Sequence, residues 1–125
     1  VTIDWTHVRH FSMDEFAEPD KLRWDMLRML DNLRENCGFP MYVTSSYRDP
    51  AHNAAVGGVS DSSHCLAPDG LYSGVDISIT DGARMFKAVK GALALGFNRI
   101  GVYPKHVHLD IEGRLPQNVI WTGSD

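Results

Sequence analysis

The sequence has little that would hold it in a membrane, staple it with disulfides or place it on nucleic acid. No apolar run approaches the roughly 20 residues that a spanning helix needs, so membrane insertion is not expected. Two cysteines, Cys37 and Cys65, are too few for a disulfide framework. Cys37 closes a helical pattern and is expected as a buried thiol, while Cys65 simply neighbours His64. The net charge is −4 and the basic residues are dispersed, so no nucleic-acid partner is expected. Repeats, low-complexity segments and linkers are missing too. The chain opens on Val1 without a basic-then-apolar leader, as expected of a processed or trimmed form, which leaves the compartment open. Residues 1–125 therefore read as a single domain, expected as a monomer, long enough to bury one core.

What is present is periodic. Ser12 with Glu15 three residues on is a capping-box signature. Leu22, Met26, Leu30, Leu33 and Cys37 recur at helical spacing, with Pro19 suiting the first turn and Gly38 and Pro40 stopping the helix. Residues 41–46 read as a strand, and "DPAHNAAVGG" as one or two helical turns that put His52 on a helix face. In "SGVDISI" Val75, Ile77 and Ile79 take one side and Gly74, Asp76 and Ser78 the other. Asp81 caps a second helix whose apolar stripe is Met85, Phe86, Val89, Ala92 and Leu93. "NRIGVYP" and "HVHLDIE" are two further strands joined tightly through Pro104 and Lys105, and His106, His108 and Asp110 share one face of the second. The order predicts an α+β fold: a small, mostly antiparallel sheet flanked by helices.

His64 sits in a loop before one strand, Asp76 points from that strand, and His108 points from another. Two imidazoles and a carboxylate are a common ligand set for catalytic zinc, leaving one position for water. By spacing alone the same residues also read as surface histidines and a strand-end aspartate unrelated in space.

The string "SSYRDPAHNAAVGGVSDSSH", then "GVDI", then "HVHLD" resembles the D-alanyl-D-alanine metallopeptidase family from about Phe11 to Asp110. That family includes zinc D,D-carboxypeptidases, D,D-dipeptidases and phage L-alanyl-D-glutamate endopeptidase lysins, and it is related to the hedgehog signalling domain. Ser62 and His64 match the start of its Ser-x-His-x-x-Gly-x-Ala-x-Asp hallmark and Asp76 its end, with Gly74 a mild replacement for the Ala. The resemblance implies one zinc per chain on His64, Asp76 and His108. It implies hydrolysis of amide bonds in peptidoglycan stem peptides at the bacterial cell wall, in the periplasm, outside the cell or by a phage-encoded enzyme. The alternative is a catalytically inactive zinc-bearing module that binds the wall or serves structurally in a virion.

Two departures qualify the match. The family's Asp follows its His by seven residues, here by twelve, so 65–73 reads as a loop enlarged by five. Pro68, Asp69 and Gly70 make its tip, expected to project into solvent and to be tolerated by the fold. Asp69 is the rival ligand, disfavoured for the same reason. In addition, Lys105 stands where many members carry the carboxylate general base. His106 is then the expected acid/base group. Asp110 is either a further catalytic residue or the group that orients His108. Arg48 matches the family's arginine, implied to hold a substrate carboxylate or carbonyl oxygen, with Ser46 beside it as a substrate contact. Tyr47 is assigned to packing, and Trp121 either to a groove wall or to the core.

Overall fold

The computed structural model describes residues 3–125. Three single 3-10 turns, Trp5–His7, Met13–Glu15 and Pro19–Lys21, precede helix α1 at Trp24–Cys37. Strand β1 is Tyr42–Ser45, α2 Pro50–Ala55, β2 Val75–Ser78, α3 Gly82–Ala94, β3 Arg99–Val102, β4 His106–Leu109 and β5 Val119–Thr122. The strands form one sheet in the order β1-β2-β4-β3-β5. β1–β2, β2–β4 and β4–β3 are antiparallel, while β3–β5 is parallel. The sheet is therefore mixed, and β5, left out of the sequence reading, is the strand that makes it so. No helix among the described residues is long and apolar enough to cross a membrane.

The alternation read in the sequence sets the sides of the sheet. Val75, Ile77, Val107 and Leu109 are 0–1% exposed and join Met26, Leu27, Leu30 and Leu33 of α1 in one core. α1 ends as expected, with Gly38 in the left-handed region at φ 74°. The Ser12–Glu15 capping box is present, around a 3-10 turn. Asp81 caps α3 by accepting from the Arg84 N–H at 2.8 Å. The α3 stripe is narrower than the expected one: Ala92 is buried and Met85 and Val89 pack against the core, with Ala88 buried beside them, whereas Phe86 and Leu93 are exposed. Small residues at 88, 91 and 92 let α3 come close to α1, and Phe86 and Leu93 face outward. Cys37 also differs from expectation, being only partly buried, while Cys65 is buried.

The largest local difference lies at the start of α1. Pro19 opens its own 3-10 turn, and α1 begins only at Trp24. Between them Leu22 is extended because it pairs with Tyr72: Tyr72 N–H donates to the Lys21 carbonyl at 2.8 Å and Arg23 N–H to the Tyr72 carbonyl at 2.9 Å. The enlarged loop is thus docked to the body of the protein. Its tip is exposed as expected, but Arg23 grips Asp69 with both guanidinium nitrogens at 2.7 and 2.8 Å. Tyr72 is fully buried, burial pushes its hydroxyl up to about 12, and that hydroxyl donates to the Ala17 carbonyl at 2.7 Å. Removing so buried an aromatic ring costs about 3–5 kcal/mol, so this loop is a structural element as well as a connection between site residues.

Candidate metal centre

Cross-strand pairing lines up the polar side of the sheet. Asp76 on β2 stands directly opposite His108 on β4, His108 opposite Gly101 on β3, and Gly101 beside Trp121 on β5. Ser45 of β1 completes the row beyond Asp76, past a bulge between Val43 and Ser45. His64 comes from the loop that crosses above Asp76. Its Nε2 lies 3.2 Å from Asp76 Oδ1, and His108 Nδ1 lies 2.9 Å from that same oxygen. One ligand atom from each of the three residues falls within 4.8 Å of the others, and all three residues are buried. Tetrahedral ligands at bonds of 2.0–2.1 Å stand about 3.3 Å apart, so the donor set and its spacing fit a small divalent metal.

Each imidazole is held from behind. His64 Nδ1–H donates to the Ser46 carbonyl at 2.6 Å, which leaves Nε2 free to face Asp76. His108 Nε2–H donates to Asp110 Oδ2 at 2.6 Å, which leaves Nδ1 for the centre. Such partners fix ring orientation and tautomer and raise ligand basicity. Asp110 is fully buried and also takes Arg99 Nε at 2.7 Å, Ser63 Oγ at 3.0 Å and the Glu112 N–H at 2.9 Å. Of its two expected roles, this position fits the orientation of His108; every oxygen is occupied and none faces outward.

The charges follow from this geometry. Burial alone would raise the carboxyl pKa of Asp76, but hydrogen bonds from His108 and His64 hold it well below the carboxylate range. Burial opposes ionisation of Asp110 as well, and His108 and Arg99 outweigh it, bringing the group down to about 2. His108 is shifted upward: burial works against the imidazolium, yet Asp110 and Asp76 at its two nitrogens win. A cation at Nδ1 would take the place of the proton those carboxylates attract.

The other expected residues divide. Arg48 reaches the centre, with Nη2 3.4 Å from Asp76 Oδ2 and Nε 3.2 Å from Ser45 Oγ. His106 reaches it too, with Nε2 3.9 Å from Asp76 Oδ2. Ser46, by contrast, is buried with both polar groups engaged: its hydroxyl accepts from the Ala17 N–H at 2.9 Å and its carbonyl holds His64. It stands behind His64, with its hydroxyl and carbonyl turned to Ala17 and His64. Asp69 is engaged by Arg23 and lies outside the metal-competent group. His52 is exposed on α2, and Tyr47 packs on Tyr72 with ring centroids 5.7 Å apart. Trp121 is a wall of the centre, its ring 5.4 Å from that of His108.

Two glycines make close approaches possible. A Cβ on Gly101 would lie 2.7 Å from the Trp121 indole, which crosses that position to reach His108. A Cβ on Gly74 would lie 2.6 Å from Ser63 Oγ and 2.7 Å from the His64 backbone nitrogen. The sequence reading treats Gly74 as a mild exchange for Ala, yet here the His64 loop rests on it. Gly74→Ala should therefore push His64 from Asp76, costing about 1–3 kcal/mol as overpacking and weakening metal binding. Thermal melting and metal titration check this; parent values in both would show that the loop yields freely.

Several site groups escape sequence reasoning. Arg99 and Ser63 are reached only through Asp110. Tyr103 stacks on His106 with centroids 4.2 Å apart and planes 11° off parallel, and Asp125 binds His106 Nδ1. The four strand-forming residues "VIWT" at 119–122 were the available signal for β5, the strand that leads the chain to Asp125.

A family model described as Peptidase M15 matches residues 4–110. No curated protein matches the chain.

Proposed function

The chain belongs to the Peptidase M15 family, and we propose that it is a zinc peptidase cutting amide bonds in peptidoglycan stem peptides. The observation that carries this reading is the convergence of His64 Nε2, His108 Nδ1 and Asp76 Oδ1, with Arg48 and His106 at the other oxygen of Asp76. Zinc held by those three residues would supply Lewis acidity, lowering the pKa of a water towards about 7 and polarising the scissile carbonyl. His106 is held by Asp125 with Nε2 turned to the centre, where it takes a proton from the attacking water and returns it to the departing amine. Arg48 is fixed through Ser45 and offers a planar guanidinium to a substrate carboxylate or carbonyl oxygen.

Lys105 favours a second reading, in which the chain carries zinc but binds walls or builds a virion without turnover. Its backbone N–H is bonded to Asp125 and its side chain is no carboxylate. Digestion of purified cell walls with and without a chelator separates the two. A peptidase releases new amines only without chelator, whereas a binding module sediments with the walls and releases none.

Arg48→Ala tests the recognition role. A charge-assisted hydrogen bond is worth about 1.5–3 kcal/mol, so kcat/KM should fall about 10- to 100-fold on stem peptides bearing a carboxylate beside the cut bond. Peptides amidated there should be little affected. Because Arg48 also touches Asp76, zinc content is measured alongside. An equal loss on both peptide sets at full zinc loading would assign Arg48 to the centre and not to recognition.

A further inference from the structure

We propose that Asp125 is a positioning residue for His106, fixing the ring with Nδ1 protonated and Nε2 bare toward the metal centre. Asp125 lies outside the region the family model matches, as does Trp121. Its carboxylate is gripped on both oxygens: Oδ2 accepts the Lys105 backbone N–H and Oδ1 meets His106 Nδ1. A surface pair between flexible side chains would contribute little. Here one arm is anchored on backbone adjacent to the histidine itself, so the second oxygen is delivered to Nδ1 without a search.

The rest of the surroundings restrict the ring in the same sense. Tyr103 stacks on it and fixes its plane. The Tyr103 hydroxyl accepts from Trp121 Nε1–H at 3.0 Å, tying the stack to β5. Gly123 N–H donates to the Val102 carbonyl at 3.2 Å, which carries the chain from β5 back toward residue 105. With plane and Nδ1 both set, Nε2 points at Asp76 Oδ2, 3.9 Å away. A carboxylate accepts only, so the proton on a neutral His106 resides on Nδ1 and the lone pair on Nε2. That is the form a proton acceptor needs.

The chemistry of Asn at this position makes the test sharp. The Lys105 N–H can only donate, so Asp125→Asn turns its amide oxygen to Lys105 and its NH2 to His106. The NH2 then donates to Nδ1 and forces the proton onto Nε2. The catalytic consequence rests on the peptidase reading above, while the tautomer does not. Nitrogen-15 spectra of histidine-labelled, zinc-loaded protein at alkaline pH should show Nδ1 protonated in the parent and Nε2 protonated in Asp125→Asn. On stem peptides, Asp125→Asn should lower kcat about 100-fold, the upper range for a residue acting through a neighbour, with KM and zinc content unchanged. Asp125→Glu, which restores an acceptor, should regain most of the rate. An unchanged tautomer and rate in Asp125→Asn would overturn the assignment, as would equal losses in Asn and Glu variants. If the parent cuts nothing yet the tautomer reverses, the positioning stands and the peptidase reading falls.

Discussion

His108→Ala should leave the protein almost free of metal and without measurable cleavage of stem peptides. The substitution removes the proposed ligand atom at Nδ1 and also the ring that links Asp110 and Arg99 to the centre. Loss of an outer partner alone typically costs 10- to 100-fold in metal affinity, and loss of a ligand should cost well beyond that. Elemental analysis of the purified variant gives the first readout, against near one equivalent of zinc in the parent. Melting gives the second. Zinc at a thousandfold above its Kd stabilises a protein by about 4 kcal/mol, on the order of 10–20 °C for a chain of this length. The parent's melting point should fall by that amount under a chelator, and His108→Ala should not respond to zinc at all. Full zinc retention by His108→Ala would sink the ligand assignment, and the chelator arm on the parent decides the matter if the variant does not fold.

His106→Ala should behave oppositely: zinc retained, turnover lowered by about two to four orders of magnitude on every substrate, the usual scale for a general acid–base group. The ring is half-buried against Tyr103 and is no part of the ligand set, so the fold has little reason to respond. Steady-state cleavage of a set of synthetic stem peptides, with zinc content measured for each variant, provides the check. A zinc-loaded variant as fast as the parent would remove the proton-carrying role. Asp110 could not take it over, because it is fully buried with its oxygens held by His108, Arg99, Ser63 and Glu112.

The centre was legible in the sequence to the extent that strand alternation determines it. Period-2 patterning puts Asp76 opposite Val75 and Ile77, and His108 opposite Val107 and Leu109, and the structure keeps those faces. What alternation leaves open is which strands meet. The parallel β3–β5 pair joins residues about twenty apart across a long connection, so the sequence left Trp121 between groove wall and core and gave no hint of the place of Asp125. The same holds at Leu22, where a hydrogen-bonded bridge to Tyr72 overrides the helical spacing and delays α1. Helical periodicity also names more positions on α3 than its contact with α1 can cover, and the close approach selects the alanines over Phe86 and Leu93. Asp69 could be dismissed as a ligand from turn chemistry, but its guanidinium partner 46 residues away was invisible.

The pairing of Asp76 with His108 across β2 and β4 also bears on how the chain reaches and leaves its native state. A slip of one residue between these strands would turn His108 to the aliphatic side and set Val107 or Leu109 against Asp76. A metal ion held by these residues would therefore reward only the correct register, and would act as a proofreader of strand pairing. His64, Asp76 and His108 come from distant parts of the chain, and such non-local contacts close late. An ion that binds only the finished centre leaves the folding rate nearly untouched and slows unfolding. Its benefit would be longevity: a loaded molecule would open seldom, and so present its backbone to neighbouring proteases seldom.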